Sequence, residues 1–149
     1  MKKIIYVLLF LSTLSVNFLS AEDLEYNLSD AISRGDLEYA KELIAKGADV
    51  NAKQAPFDQA PIVTAPLRGM EFIELLVENG ADVNSRDQDK TTALINACLY
   101  GNTEAAKYLV SKGADIRAVN NDGISVLEAA QISENKRLIR YVESKVAHK

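Results

Sequence analysis

The stretch GADVN occupies residues 47–51 and returns unchanged at residues 80–84. A third copy with two changes, GADIR, occupies residues 113–117. Both steps are 33 residues long, and a fixed period of this length indicates a protein built from stacked repeats. The three copies therefore mark equivalent points in three structural units.

An amphipathic stretch precedes each copy of the motif. In the first of them, Ala40, Leu43 and Ile44 have the spacing that places apolar side chains on one face of a helix. The glycine that follows stands where a helix ends with a residue in the left-handed conformation. The three predicted helices are LEYAKELIAK at 37–46, EFIELLVEN at 71–79 and TEAAKYLVSK at 103–112.

A second, shorter helix is predicted before each of these. Its apolar positions recur as Leu28, Ala31 and Ile32, as Leu94, Ala97 and Cys98, and as Leu127 and Ala130. Gly35 and Gly101 stand between the two helices of their units, where a tight turn favours a residue without a β-carbon. The chain is therefore predicted to contain four units, with alanines between paired helices and leucines between neighbouring units.

These features resemble the ankyrin repeat, which is 33 residues long and consists of a turn and two helices. The resemblance covers about Glu25 to Lys145. Where the family has a Thr-Pro-Leu-His signature, the third unit has TTAL at 91–94 and the fourth has SVL at 125–127, so both signatures are degenerate. The resemblance implies an all-α solenoid with about three full helix-turn-helix repeats and a C-terminal capping repeat.

Two departures from the period affect the second unit. The hairpin that leads into it carries Pro56-Phe57-Asp58 and is one residue longer than the others. One residue is missing around Pro66 to Gly69, so an irregular first helix is predicted there. The charged stretches at 134–137 and 143–145 are interpreted as a cap, because the last unit of a solenoid has one face without a neighbour.

Length and composition are those of one globular domain. The chain has 149 residues, of which 48% are hydrophobic and 26% charged, so a packed core is expected. The formal net charge of -4 disfavours nucleic acid as a partner, because phosphate binding requires a basic face. The negative charge also disfavours binding to anionic membrane surfaces.

Residues 1–21 are predicted to be a signal peptide. The basic start Met1-Lys2-Lys3 precedes the uncharged apolar run Ile4 to Leu14, and Leu19-Ser20-Ala21 ends in small residues before acidic ones. Cleavage there would leave residues 22–149 as an ankyrin-repeat domain that is periplasmic or secreted. The alternative is an uncleaved anchor helix, which the polar second half of the segment disfavours.

The residues that most often serve catalysis are few and poorly placed. The one histidine, His148, is next to the C-terminus, where a frayed end holds no fixed geometry. Cys98 is the one cysteine, so no intramolecular disulfide is possible. It occupies an alanine-like core position and is predicted to be an inert, buried thiol.

Several aspartates fall in predicted turns, where they are expected to cap the helices that follow. They are Asp87, Asp89, Asp115 and Asp122. The run Asp87-Gln88-Asp89 is similar to part of a calcium loop but lacks the glycine and the terminal glutamate of such loops. The sequence therefore predicts no metal site, no cofactor and no enzymatic activity. The rival hypothesis is a hydrolase that uses Asp87 and Asp89.

The resemblance also implies where a partner protein binds, namely on the hairpin tips and the exposed ends of the first helices, which line a concave groove. The surface carried over by position consists of Phe57, Gln59, Leu67, Arg68, Gln88, Asp89, Thr91, Leu99, Tyr100, Asn121, Asp122 and Ile124. Phe57, Arg68 and Tyr100 are the favoured anchors and are expected to form one contact surface, because aromatic and arginine residues dominate binding hot spots. In the alternative interpretation, Leu67, Leu99 and Tyr100 pack against neighbouring helices.

The predicted function is that of a non-catalytic protein-binding module in the cell envelope or outside the cell. It would act as an immunity or inhibitor protein against a toxin or enzyme in the periplasm, or as an accessory factor for an envelope enzyme. A membrane-tethered scaffold with an intact signal is a third hypothesis. The expected partner is another protein, with no nucleic acid and no membrane after signal removal, and the free chain is expected to be monomeric.

Overall fold

The computed structural model describes residues 20–147, so His148 and nearly all of the predicted signal peptide lie outside the described residues. The helices of the described part are α1 (Ala21–Arg34), α2 (Leu37–Ala45), α3 (Pro61–Thr64), α4 (Met70–Glu78), α5 (Ala93–Leu99), α6 (Thr103–Ser111), α7 (Val126–Ile132) and α8 (Lys136–Ala147). These residues contain no β-strand, which confirms the predicted all-α class. Within residues 20–147, no helix is long and apolar enough to cross a bilayer.

Each unit is a pair of helices. We call α1, α3, α5 and α7 the first helices and α2, α4, α6 and α8 the second helices. In neighbouring units, first helix packs on first helix and second helix on second helix. The first helices of neighbouring units pack more closely on one another than the second helices do, and we call the side that the first helices and the connecting hairpins form the inner side.

The core runs through all four units. Leu28, Leu43, Leu94 and Leu109 are all fully or almost fully buried, as the periodic pattern predicts. Leu127 is only half-buried, although it repeats the spacing of Leu28 and Leu94. Within the described residues no unit follows α7 and α8, so Leu127 has a neighbouring unit on one side alone.

The repeated glycine ends α2, α4 and α6 in the predicted way. Gly47 has a φ of 97°, which places it in the left-handed region. The Ala48 N–H then donates to the Leu43 carbonyl at 3.0 Å, and the equivalent bond forms after α4 and α6 at 2.9 Å in both places. These bonds satisfy carbonyl groups that a helix end leaves free.

The asparagine at the end of the motif joins one unit to the next. The Asn51 side chain donates to the Gly80 carbonyl at 3.0 Å and accepts from the Asp82 N–H at 2.8 Å. Asn84 makes the equivalent pair of bonds to the third copy of the motif, at 3.1 and 2.8 Å. Arg117 occupies this position in the third copy, and its side chain makes no such bond within the described residues.

The helix caps differ from the prediction for the turn aspartates. Thr92 caps α5 and Ser125 caps α7, whereas Asp87 accepts hydrogen bonds from N–H groups inside its own hairpin. Asp115 likewise accepts from the Arg117 N–H at 2.9 Å. The prediction that these aspartates cap the following helices is therefore wrong: Asp87 and Asp115 each accept from an N–H two residues away within their own turn, and the carboxylates of Asp89 and Asp122 accept no hydrogen bond within the described residues.

The second unit has the predicted irregular first helix. α3 ends after four residues, and Ala65–Leu67 continue it as a 3-10 turn. Two residues, Arg68 and Gly69, then lead into α4, whereas three residues separate α5 from α6. Gly69 also stands where Asn102 caps α6, so α4 begins without a side-chain cap.

The first connecting hairpin is longer than the others. From the glycine that ends the helix to the cap of the next helix, it has one residue more, as predicted. The innermost backbone hydrogen bonds join Gln54 to Gln59 and enclose a tip of four residues, whereas the bond from the Asp87 N–H to the Thr91 carbonyl encloses three. The prediction of a lengthened tip is therefore confirmed.

Candidate protein-binding surface

The hairpin tips are joined to one another by hydrogen bonds. The Gln88 N–H donates to the Phe57 carbonyl at 3.0 Å, and the Asn121 N–H donates to the Asp89 carbonyl at 2.8 Å. The Asn121 side chain adds a bond to the Gln88 carbonyl at 3.1 Å. These bonds hold the three tips in register and form a continuous edge along the stack.

Exposed apolar side chains are confined to one side of the molecule. In residues 20–147, the large hydrophobic side chains that remain exposed are Tyr26, Phe57, Leu67, Tyr100, Val119 and Ile132. All of them lie on a first helix, at its end or in a connecting hairpin, and none lies on a second helix. An uneven distribution of exposed apolar side chains points to this side of the molecule as the candidate for covering by another molecule.

These residues form two groups at opposite ends of the first helices. Tyr26, Phe57 and Val119 lie in or near the hairpins, whereas Leu67, Tyr100 and Ile132 lie where the first helices end. Seven helical residues, the length of α5, span about 10 Å. The structure therefore places Phe57 near one end of the first helices and Arg68 and Tyr100 near the other, and the single contact surface expected of these three residues stays a prediction.

A cleft lies between α1 and the first hairpin. Tyr26, Asp30 and Thr64 line it from the helices, and Phe57 and its neighbours line it from the tip. Its volume is about 250 Å³. Phe57 thus faces the first unit, which has no hairpin of its own within the described residues.

A second, more open depression lies at the other end of the stack. It has a volume of about 420 Å³ and is lined by Asp122, Gly123, Ile124, Glu128, Gln131 and Ile132. Asp122 and Ile124 were predicted to belong to the binding surface. Because no further unit covers this end within residues 20–147, the depression is the exposed side of the last described unit.

The twelve predicted surface residues are all at least partly exposed. Gln59, Thr91, Leu99 and Ile124 are half-buried, and the other eight are exposed. Leu99 packs against the core, as the alternative interpretation predicted, whereas Leu67 and Tyr100 are 41% and 65% exposed. Their contact with a partner stays a prediction.

Sequence reasoning missed three exposed apolar residues, Tyr26, Val119 and Ile132. Tyr26 is 67% exposed and lies off the buried stripe formed by Leu28, Ala31 and Ile32. Ile132 is 58% exposed at the end of α7, one period after Leu99. In the sequence, such residues could have been identified as large apolar residues that lie outside the helical core pattern.

The second helices present charged groups to solvent. Lys46 pairs with Glu42 at 2.6 Å, and Glu104 pairs with Lys107 at 3.4 Å and with Arg137 at 3.2 Å. Exposed pairs of this kind contribute little to stability and keep a surface hydrated. This face is therefore a weaker candidate for protein binding than the inner side.

The described residues contain few side chains placed for catalysis or metal binding. Cys98 is fully buried, and burial raises the pKa of its thiol to about 12, so the thiolate does not form near neutral pH. Residues 20–147 hold no cluster of side chains suited to a metal ion. Asp87 and Asp115 are engaged in turn hydrogen bonds.

Helix pairs that stack on one another, with hydrogen bonds between their connecting hairpins, are the features of a helical repeat protein. The family described as ankyrin repeats (3 copies) matches residues 28–120 and, in a second overlapping match, residues 61–146. The chain belongs to the ankyrin-repeat family, whose repeats mediate contacts between proteins and are typically non-catalytic. No curated protein matches the chain.

Proposed function

We propose that this protein is a non-catalytic module that binds one partner protein in the cell envelope or outside the cell. The observation that carries the proposal is the one-sided distribution of exposed apolar side chains along the first helices and hairpins. A partner on this side would remove Leu67, Tyr100 and Ile132 from water, at a gain of roughly 25 cal/mol per Å² of apolar surface.

The rigidity of the inner side supports binding with little loss of entropy. The hydrogen bonds between the tips and the asparagine bonds between units order this surface before a partner arrives. Affinity then requires little further ordering of backbone or side chains. The charged second helices would remain in water.

Export is proposed from the basic start and the apolar run Ile4 to Leu14. The mass of the protein purified from its native cells should correspond to a chain that begins near Glu22. Such cleavage removes Ser20, whose side chain accepts the Asp23 N–H at 3.1 Å, so the mature α1 would begin without this cap. A full-length mass would contradict cleavage and favour the tethered scaffold.

The effect of binding on the activity of the partner distinguishes two versions of the proposal. An immunity or inhibitor protein would abolish the activity of a toxin or enzyme on binding it. An accessory factor would raise the activity of its partner or prolong its lifetime. Once a partner has been identified by co-purification from the native envelope, its activity with and without this protein distinguishes the two.

Binding by the inner side is tested with paired variants. Phe57→Ala combined with Tyr100→Ala should weaken partner binding by roughly 2 kcal/mol or more, because truncated hot-spot residues lose contacts that are not replaced. The single variants show which of the two exposed groups contributes. Circular dichroism should be unchanged, because both side chains are exposed.

The matched control lies on the second helices. Glu74→Ala combined with Lys107→Ala should leave partner binding unchanged. If the control loses binding while the inner-side variant binds as wild type, the surface of the second helices with Glu42, Glu74, Glu78 and Lys107 is the site, and the proposal is wrong.

A further inference from the structure

The cleft between α1 and the first hairpin has the size of one side chain. Small-molecule sites usually have volumes of roughly 300–1,000 Å³. The cleft volume of about 250 Å³ lies below this range. It is open to solvent between Tyr26 on α1 and Phe57 in the tip, so a group on the surface of another protein can enter it.

The charge in the cleft is negative. Asp30 is the one charged residue among the residues that line it. Its Oδ2 atom pairs with Arg34, which does not line the cleft, whereas Oδ1 accepts no hydrogen bond from the described residues. All 21 acidic residues of the chain lie within residues 20–147, whereas three of the 17 basic ones lie outside, so the surrounding field also attracts cations.

The walls of the cleft suit a cation as well. Tyr26 and Phe57 are 67% and 56% exposed, and aromatic ring faces attract ammonium and guanidinium groups. The cation–π contacts within the described chain are made to Tyr108 and Tyr141, on the second helices. Both cleft rings are therefore free of such a contact within residues 20–147.

Polar groups without partners complete the cleft. Ser29 lines it, and its hydroxyl oxygen is the one buried side-chain oxygen or nitrogen in residues 20–147 that lacks a hydrogen-bond partner. Such an atom carries the cost of lost hydration unless a ligand bonds to it. The side chains of Gln54 and Gln59 also line the cleft and make no hydrogen bond within the described chain, so their carbonyl oxygens can accept N–H groups.

We propose that this cleft receives an arginine or lysine side chain from an exposed segment of the partner protein. The cation would lie against Tyr26 and Phe57, with the Asp30 carboxylate as its counter-charge and Ser29 as a hydrogen-bond acceptor. This inference rests on the proposed function, because it assigns the chemistry of one contact in the same binding surface.

The test is a titration of the isotope-labelled protein with blocked tripeptides, followed by NMR. Acetyl-Gly-Arg-Gly-amide and its lysine counterpart should shift the signals of Tyr26, Ser29 and Phe57. The shifts should shrink as salt is added, because ions screen an exposed charge pair. The matched peptides with glutamate or norleucine at the centre should leave these signals in place.

Variants sharpen the test. Phe57→Ala should weaken the arginine peptide about two- to fivefold, the range expected for one exposed cation–π contact. Asp30→Asn should also weaken it, whereas Arg34→Gln should strengthen it, because that change frees the Asp30 carboxylate from its internal partner. Tyr100→Ala is the control and should have no effect.

The possible failures are distinguishable. Equal binding of the norleucine peptide, binding of the glutamate peptide, absence of binding by either cationic peptide, or weaker binding by Arg34→Gln would overturn the cationic assignment. If partner binding still depends on Tyr100 in any of these cases, the proposed function stands. Loss of the proposed function would appear instead as partner binding that ignores both Phe57 and Tyr100.

Discussion

Glu134 occupies the position in the fourth unit that Gly101 occupies in the third. Its φ is 56°, and that of Gly101 is 68°, so both residues are in the left-handed conformation between the two helices of a unit. A residue with a β-carbon is strained there by roughly 1–2 kcal/mol, whereas glycine loses roughly 0.5–1 kcal/mol of backbone entropy on folding. The fourth unit therefore retains a strain that the third unit avoids.

Replacing Glu134 with glycine should raise the free energy of unfolding by about 0.5–1 kcal/mol, because the strain removed exceeds the entropy lost. The midpoint of urea denaturation measures the change. The reciprocal variant Gly101→Ala should lower the free energy of unfolding by a similar amount, since an added β-carbon lies 3.5 Å from Ser133 without a severe clash. A Glu134→Gly protein that is less stable than wild type would show that the Glu134 side chain contributes more than its backbone costs.

At the scale of the elements, the connection between units depends on the motif asparagines. The Asn84 side chain bonds to the Gly113 carbonyl and the Asp115 N–H, and Asn51 does the same one unit earlier. These bonds join helix ends that would otherwise present free backbone groups. Arg117, at the same position in the third copy, makes no equivalent side-chain bond within the described residues.

Asn84→Ala should lower the free energy of unfolding by about 1–3 kcal/mol, because two hydrogen bonds between units are lost at roughly 0.5–1.5 kcal/mol each. Chemical denaturation measures the loss. Arg117→Ala is the matched control, and its effect should stay within about 0.5 kcal/mol, as for most exposed positions. Equal effects of the two variants would show that the asparagine bonds do not stabilise the stack.

At the scale of the whole molecule, stability comes from a core that passes through all units. A repeat stack has contacts only between neighbours, so each interface must hold for the stack to persist. Leu109 is fully buried in α6, in the third of the four described units. Truncation of Leu109 would therefore weaken the packing of the third unit against the second and the fourth.

Leu109→Ala should lower the free energy of unfolding by about 2–5 kcal/mol, through lost burial and the cavity left behind. The melting curve should shift clearly to lower temperature. Leu67→Ala is the matched control, because Leu67 is 41% exposed and its loss should change stability far less. An unchanged melting temperature for Leu109→Ala would contradict the position of this residue in the core.

The period of 33 residues was sufficient to predict the helices, the glycines that end them and the buried leucines. These features are local or repeat from unit to unit, so a residue such as Leu94 can be placed from its equivalent at Leu28. The resemblance to ankyrin repeats and the irregular second unit were also readable from the sequence. The same reasoning placed most candidate surface residues in exposed positions.

Only the tertiary structure shows where the irregular first hairpin, a departure from the period, lies relative to the neighbouring unit. The first tip lies beside α1, so Phe57 lines the cleft with Tyr26, away from the helix ends where Tyr100 lies. Helical spacing determines which side chains face the core. The direction of a hairpin tip depends on which backbone groups pair and on the neighbouring unit, and no local sequence pattern specifies either of them.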